Sequence, residues 1–202
     1  DTLERAAASV LSQMEELELL IVDDCSSDSA FSIAQRLARD DARVRAFRLQ
    51  KNSGVSAARN YAMQKARGEW LALLDSDDWF ADDRLINLLE VAHQADVEMV
   101  ADNQYFFDKQ AESVVGTALR QTGKEIIVDL DGFLAGSNAT KNFDYGMLKP
   151  LFRADFIHSH GIEYDISSRI SEDYYMLLRF FAAGGRAVVV DTPYYFYTQP
   201  FG

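Results

Sequence analysis

The stretch Trp70-Leu-Ala-Leu-Leu-Asp-Ser-Asp-Asp78 places an apolar strand directly before three carboxylates. A buried strand needs apolar side chains, and a turn needs few acidic ones, so folding alone does not account for Asp75, Asp77 and Asp78. Crowded carboxylates repel one another unless a cation lies between them. In α/β folds, ligands bind in the crevice beyond the carboxyl ends of the strands. The stretch therefore predicts a divalent metal site at a strand end.

Helix and strand patterns alternate along the first half of the chain. Apolar residues at helical spacing predict helices over 2–13, 29–39 and 56–67, and another from 82 or 83 to about 94. Short apolar runs predict strands over 17–22, 44–49 and 97–101, in addition to the strand that begins at Trp70. This alternation is typical of an α/β fold with a Rossmann-like, mostly parallel sheet that is flanked by helices.

The pattern changes after residue 101. Short strands are predicted over 105–109, 114–119 and 125–130, and 132–145 is loop-rich, which indicates a smaller variable lobe. Order returns with an apolar segment over 148–152, a helix over 171–183 and a strand over 187–191. We interpret residues 1–101 and 102–202 as two halves of one continuous domain.

The chain opens inside a predicted helix, at residue 1 or 2. A parallel α/β sheet normally opens with a strand. We therefore expect that the first strand is missing, that the chain is trimmed at its front or is a fragment, and that its sheet has lost a neighbour.

Composition excludes several classes of protein. With 202 residues, of which 48% are hydrophobic and 26% charged, the chain can bury a substantial core. Its net charge of −12 argues against nucleic-acid binding, and an anionic ligand would need a metal or a few well-placed basic groups. Cys25 is the only cysteine, so there is no internal disulfide and a reducing compartment is favoured. We see no signal peptide and no apolar run of the roughly 20 residues that span a membrane.

Three further clusters contain residues that suit ligand binding or catalysis. At Asp23-Asp24, a strand ends in carboxylates that, with Ser26, can accept hydrogen bonds from a base or a ribose; turn formation and helix capping explain them equally well. A Gly-containing turn at 52–54 leads into a helix, and the first N–H groups of this helix, with Arg59, could bind a phosphate. Alternatively, the segment is an ordinary capped helix with a solvated Arg59. Ser171-Glu-Asp173 opens an apolar helix, where the acidic pair also complements the helix dipole.

The acidic turn after Trp70 is the most specific of the clusters. A calcium loop of the helix-loop-helix kind fails, because Phe80 stands at the sixth position from Asp75, where glycine is required. Helix capping explains at most one or two of the acidic residues between 75 and 83.

Taken together and in this order, the clusters resemble the family 2 glycosyltransferases, which have the GT-A fold and transfer a sugar from a nucleotide diphosphate sugar with inversion. The resemblance covers most of the chain except residues 102–145. It rests on these segments: 23–28, 52–54 with 58–60, 68–78, 148–153, 172–173 and 191–194.

For the donor side, the resemblance implies that 1–101 binds the nucleotide sugar. Asp24, supported by Asp23, would contact the nucleoside base, with Ser26 beside them. Arg59 would assist at the diphosphate, and Asp75 would bind the ribose or share the metal.

On the donor side, Asp77, with Asp75, would also hold Mn²⁺ or Mg²⁺ against the diphosphate. For the acceptor side, the resemblance implies that 102–202 binds the acceptor and supplies the catalytic base. Asp173 is the expected base, with Glu172 as the runner-up. An inverting transfer needs both groups, because a carboxylate takes the acceptor proton on one face while a cation neutralises the leaving diphosphate on the other.

The family also suggests a setting. UDP is the expected nucleotide by family habit, and the acceptor is a saccharide or a lipid-linked saccharide. The chain has no Gln-x-x-Arg-Trp sequence and no membrane helices, both of which processive synthases of this family carry, so a single addition is expected. Bacterial polysaccharide synthesis in the cytoplasm, with peripheral association at the inner face of the cell membrane, fits these features.

Other classes stay open at this point. A phosphorylation-dependent receiver domain also has an acidic pair such as Asp23-Asp24, an acceptor Asp such as Asp75 and a Lys-Pro such as Lys149-Pro150, but here the Lys lies too far along the chain. A nucleotidyltransferase would open with a Gly-rich basic loop, which is absent. A protein that binds nucleotide sugars without catalysis would keep nucleotide binding but lack turnover.

Overall fold

The computed structural model describes residues 2–14, 16–119, 124–138, 143–168 and 170–199. The helices in these ranges are α1 (Thr2–Leu11), α2 (Ala30–Asp40), α3 (Val55–Lys65), α4 (Arg84–Ala95), α5 (Leu130–Gly136), α6 (Ala154–Ser159) and α7 (Glu172–Ala182), with a 3₁₀ turn at Tyr145–Met147. The strands are β1 (Leu19–Asp23), β2 (Val44–Arg48), β3 (Trp70–Ala72), β4 (Trp79–Phe80), β5 (Met99–Asp108), β6 (Ser113–Thr117), β7 (Glu125–Val128), β8 (Ser137–Asn138), β9 (Phe143–Asp144), β10 (Leu151–Arg153) and β11 (Ala187–Gln199).

A seven-stranded sheet forms the centre of the described structure. Its order is β3-β10-β5-β11-β4, with β6 added to β5 and β7 added to β11. The strands β5 and β11 are parallel, and β10 is antiparallel to both β3 and β5, so β3, β5 and β11 share one direction. The strands β1 and β2 form a separate parallel pair. The predicted α/β class is confirmed, and the strands that follow α3, α4 and α7 have the parallel arrangement expected of it.

Two strands are longer than the sequence pattern predicts. The predicted strands over 97–101 and 105–109 join into β5, and the strand predicted over 187–191 continues to Gln199 in β11. Each strand supplies the other's backbone hydrogen bonds from the pair Ala187 and Met99 to the pair Gln199 and Asp108. This long-range pairing carries β5 through Asp102, Asn103 and Gln104, which have little intrinsic preference for a strand, whereas β11 beyond residue 191 is rich in aromatic residues that favour one.

The stretch 132–145, which was expected to be loop-rich, begins inside a helix. Helix α5 covers Leu130–Gly136, and the side chain of Asp129 caps it by accepting a hydrogen bond from the Gly132 N–H. The prediction missed this helix because it is short and carries two glycines. Residues 139–142 of the stretch lie outside the described ranges.

The hydrophobic core lies on both faces of the sheet. Met99 and Ala101 of β5 pack into one cluster with α7, whereas Val100 packs into another with α4. This alternation follows the two-residue period of a strand. The two clusters fix the end of β3 and the start of α7 relative to one another. No helix of the described residues is long and apolar enough to cross a membrane.

A buried ion pair joins helix α4 to strand β5 of the central sheet. Arg84 and Asp102 are both fully buried, with Nε to Oδ2 at 3.1 Å and Nη2 to Oδ1 at 2.6 Å. The same Nη2 donates to the carbonyl of Lys149 at 2.5 Å. The guanidinium lies over the ring of Phe80 at 4.3 Å and faces that of Tyr195 at 5.3 Å. The pair therefore connects α4, β5 and the segment before β10.

Arg84→Met is expected to lower the free energy of unfolding by about 3 to 5 kcal/mol, because it leaves the Asp102 carboxylate buried without its counter-charge. The double variant Arg84→Met/Asp102→Leu should recover much of the loss, since it removes both charges. Urea unfolding of the wild type, of Arg84→Met and of the double variant measures these free energies. Arg39→Met, at an exposed position of α2, is the matched control. A loss at Arg84→Met no larger than that of the control would contradict the prediction.

Candidate functional site

Four charged side chains from distant parts of the chain form a closed ring, which we call the charged ring: Arg59 of α3, Asp75 after β3, Lys149 before β10 and Asp173 of α7. Arg59 donates from Nη2 to Asp75 Oδ1 at 2.7 Å and from Nη1 to Asp173 Oδ1 at 2.6 Å. The Nζ of Lys149 contacts the other oxygens, Asp173 Oδ2 at 2.6 Å and Asp75 Oδ2 at 2.9 Å. The ring thus joins the predicted donor-side carboxylate to the predicted base.

The cations of the ring are more deeply buried than its carboxylates. The side chain of Lys149 is 6% exposed, whereas that of Asp75 is 28% exposed. Burial opposes the charge of Lys149, but the carboxylates of Asp75 and Asp173 outweigh it and raise its pKa. Burial likewise opposes ionisation of Asp75, but Lys149 and Arg59 outweigh it and lower its pKa. The carboxylates therefore form the surface that a substrate would meet.

Glu172 adds a further negative charge beside the ring. Its Oε1 lies 3.6 Å from Nη1 of Arg59. With Glu172 included, three carboxylates face two cations, so the local charge is negative. A diphosphate would be repelled from this surface unless a bound cation neutralised it.

Local packing orients the two cations. The guanidinium of Arg59 lies over the ring of Tyr164 at 5.2 Å. The neighbouring Asn60 holds the same tyrosine, donating from Nδ2 to its carbonyl and accepting from its N–H, both at 2.8 Å. Lys149 is held through its carbonyl by the buried Arg84. Buried hydrogen bonds therefore fix the backbone of Tyr164, beside Arg59, and the backbone of Lys149.

The three carboxylates of the acidic turn point to different partners. Asp75 belongs to the charged ring, whereas buried Asp78 accepts from the Tyr195 hydroxyl at 2.6 Å and the Thr198 N–H at 2.7 Å. Burial raises the pKa of Asp78 to about 6. The side chain of Asp77 is exposed; within the described ranges its hydrogen bonds, from Arg5 and Thr198, go to the backbone carbonyl, and its carboxylate acts on Arg5 through its charge. The fold thus gives the three carboxylates different partners, while Asp75 and Asp77 still contribute to the raised pKa of Asp78.

Among the described residues, no group of three or more His, Cys, Asp or Glu side chains is placed to hold a metal ion. The carboxylate of Asp77 is nevertheless open to solvent, close in sequence to Asp75. Mg²⁺ is commonly bound by one or two carboxylates together with substrate phosphates, rather than by a complete protein cage. The residues present therefore fit a cation that arrives with a diphosphate.

The acidic pair at the end of β1 meets the Gly-containing turn before α3. Asp24 accepts from the N–H groups of Ser53 and Gly54, both at 2.7 Å. Gly54 has φ +90°, a conformation that glycine adopts without strain. Buried Asp23 accepts from the Ser26 N–H at 3.2 Å and pairs with Arg48. The structure brings the first two clusters together, with both carboxylates bound to the chain itself.

Lys149 is the site residue that sequence reasoning did not assign to the predicted transferase site. The available signal was its position as the only charged residue in the apolar segment Leu148-Lys-Pro-Leu-Phe152. A charge in a buried segment requires a partner of opposite charge. That argument predicts a carboxylate beside Lys149, although it does not say which one.

Comparisons with known proteins agree with the resemblance stated above. The family described as Glycosyl transferase family 2 matches residues 1–130. The succinoglycan biosynthesis proteins ExoU and ExoO of Rhizobium meliloti are 34% and 32% identical; they cover 95% and 98% of this chain, which spans 56% and 57% of theirs. The crystal structure of S. aureus TarS 1-349 in complex with UDP-GlcNAc has a TM-score of 0.79 at 20% identity over 99% of this chain and 55% of that one. This likeness shows the GT-A-type fold, and neither the receiver nor the binding-protein alternative gains support.

Proposed function

This chain belongs to glycosyl transferase family 2, and from that membership we propose that it transfers a single sugar from a nucleotide diphosphate sugar, with inversion, to a saccharide or lipid-linked saccharide acceptor. The observation that carries the proposal is the charged ring, because it brings Asp75 and Asp173 to one surface. An inverting transfer requires a base on the acceptor side and positive charge at the leaving diphosphate, and a donor-side carboxylate such as Asp75 can hold that charge in place as a metal ion.

UDP is the proposed nucleotide and bacterial polysaccharide synthesis the proposed setting. The TarS structures named for complexes with UDP and UDP-GlcNAc support the nucleotide, and the two succinoglycan biosynthesis proteins support the setting. We also propose a cytoplasmic location, with peripheral association at the inner face of the membrane when the acceptor is lipid-linked.

Asp173 is the proposed general base. The acceptor hydroxyl oxygen forms a bond to the anomeric carbon while the bond from that carbon to the diphosphate oxygen breaks, and the leaving diphosphate keeps the electron pair. The hydroxyl proton passes to a carboxylate on the acceptor side. Each oxygen of Asp173 accepts one ion-pair contact, and a carboxylate oxygen has a second lone pair, so acceptor capacity is left for this proton. Glu172, with its one longer contact to Arg59, is the runner-up.

Asp77, with Asp75, is the proposed holder of Mn²⁺ or Mg²⁺. Two observations support it: the open carboxylate of Asp77 and the negative local charge at the ring. A bound divalent cation would supply the positive charge that stabilises the leaving diphosphate. Asp23, Asp24, Ser26 and Arg59 are the proposed nucleotide contacts, with Asp24 also anchoring the turn at Ser53 and Gly54.

The proposal is tested by incubating the full-length protein with a panel of UDP-sugars and oligosaccharide acceptors in Mn²⁺. We expect UDP release that depends on the acceptor, and a product whose anomeric configuration, read from the proton coupling constant by NMR, is opposite to that of the donor. Retained configuration would contradict the inverting mechanism. Absence of transfer and of nucleotide release across UDP-, GDP- and dTDP-sugars would contradict the proposed function.

A further inference from the structure

We propose that Lys149 is a positioning residue that sets the spacing between the donor-side and acceptor-side carboxylates of the active site. This assignment rests on the proposed transferase function. Its basis is that one buried ammonium contacts Asp75 at 2.9 Å and Asp173 at 2.6 Å. The two carboxylate oxygens can therefore lie no further apart than the sum of these two contacts.

The way in which Lys149 is held suits this role. Its side chain is 6% exposed, and its carbonyl accepts a 2.5 Å hydrogen bond from Arg84. Arg84 is itself fully buried and ion-paired with Asp102 of β5. A long, flexible lysine usually samples many rotamers, and fixing it at both ends removes this freedom. Lys149 thus ties the two carboxylates to the central sheet.

Arg59 alone cannot replace Lys149. Arg59 contacts the Oδ1 atoms of Asp75 and Asp173, and Lys149 contacts their Oδ2 atoms, so each carboxylate is fixed at both oxygens. Without Lys149, one guanidinium would face Asp75, Asp173 and Glu172, and the carboxylates would repel one another. Asp173 would then rotate or move away from Asp75.

The expected consequence is a loss in the chemical step rather than in donor binding. In a displacement at the anomeric carbon, the acceptor oxygen has to be aligned with the departing diphosphate, and a misplacement of about 1 Å can cost about 100-fold in rate. Lys149 does not itself take the proton. Its effect should therefore depend on the presence of the carboxylate of Asp173.

The experiment compares four variants with the wild type in the full-length protein, at saturating acceptor and varied UDP-sugar: Lys149→Met, Lys149→Arg, Asp173→Asn and the double variant Lys149→Met/Asp173→Asn. Lys149→Met should lower kcat by about 10- to 100-fold and change the donor KM by less than about threefold. Lys149→Arg should recover part of the loss, because it keeps the charge with a different geometry. The double variant should lose less activity than the product of the two single losses, because part of the effect of Lys149 passes through Asp173. Lys109→Met, at an exposed position, is the matched control.

Each outcome decides the proposal. An active wild type with an unchanged kcat in Lys149→Met would overturn the role of Lys149 and leave the proposed function standing. Multiplied losses in the double variant would also overturn it, because Lys149 would then act independently of Asp173. A wild type without transfer would overturn the proposed function and this assignment with it. If Lys149→Met does not fold, Lys149→Arg decides: a lowered kcat at constant KM supports the proposal, and an unchanged kcat overturns it.

Discussion

Asp173→Asn is expected to lower kcat by about 10³-fold, since a positioned general base typically contributes about 10² to 10⁴. The amide keeps the shape of the carboxylate but cannot take the proton of the acceptor hydroxyl. UDP binding, measured by calorimetric titration, should stay within about threefold of the wild type, because the base lies on the side of the anomeric carbon opposite the nucleotide. Loss of turnover with binding intact would separate catalysis from binding.

Asp173→Asn is expected to fold, because the charges that remain around residue 173 balance one another. In the wild type, Asp75, Asp173 and Glu172 face Arg59 and Lys149. Asp173→Asn leaves two carboxylates and two cations, so no buried charge loses its counter-charge. A thermal unfolding midpoint close to that of the wild type would confirm this.

Glu172→Gln is the matched control for Asp173→Asn, since it changes the adjacent acidic residue of the same helix turn. Within the part of the chain that the structure describes, its carboxylate makes one ion pair, at 3.6 Å to Arg59, so we expect less than about a tenfold change in kcat. The reverse result, with Glu172→Gln inactive and Asp173→Asn active, would assign the base to Glu172. Full activity in both variants would show that the base lies elsewhere.

The sequence could predict the α/β fold because helices and strands leave local patterns of apolar residues. Periodicity located α1 to α4 and α7 to within a few residues. That the acidic residues at strand ends bind a ligand stays a prediction. The lengths of β5 and β11 could not be predicted. They depend on a pairing between residues that lie far apart in the chain, which carries β5 through Asp102, Asn103 and Gln104 against their local preference.

The partners of the site residues were beyond prediction for the same reason. Arg59 was expected at a phosphate, yet its guanidinium lies between Asp75 and Asp173, and the latter is 114 positions away. Asp78 looked identical to Asp75 and Asp77 in sequence, but the fold buries it against Tyr195 and Thr198. Residue type indicates what chemistry is available, whereas the fold determines which groups meet.

Asp77→Ala is expected to remove the metal dependence of UDP binding. In a calorimetric titration with Mn²⁺, we expect the affinity of the variant for UDP to fall by at least about 100-fold, to the value that the wild type shows with chelator. The physical reason is that the surface of the charged ring carries an excess negative charge and the diphosphate is also negative. A diphosphate therefore binds well there only when a bound cation offsets the charge of the ring and of the diphosphate. The wild type should bind UDP tightly in Mn²⁺ and weakly in chelator.

The fold should tolerate Asp77→Ala, because among the described residues the exposed carboxylate makes no hydrogen bond or ion pair and acts on Arg5 only through its charge. Arg5 and Thr198 contact the backbone carbonyl of residue 77, which alanine retains. Asp82→Ala, at an exposed position nearby, is the matched control and should bind UDP like the wild type in Mn²⁺. Equal UDP affinity with Mn²⁺ and with chelator in the wild type would refute the proposed metal dependence of binding. The charge of the diphosphate would then have to be met by protein cations, of which Arg59 has N–H donors left beyond its two hydrogen bonds to Asp75 and Asp173.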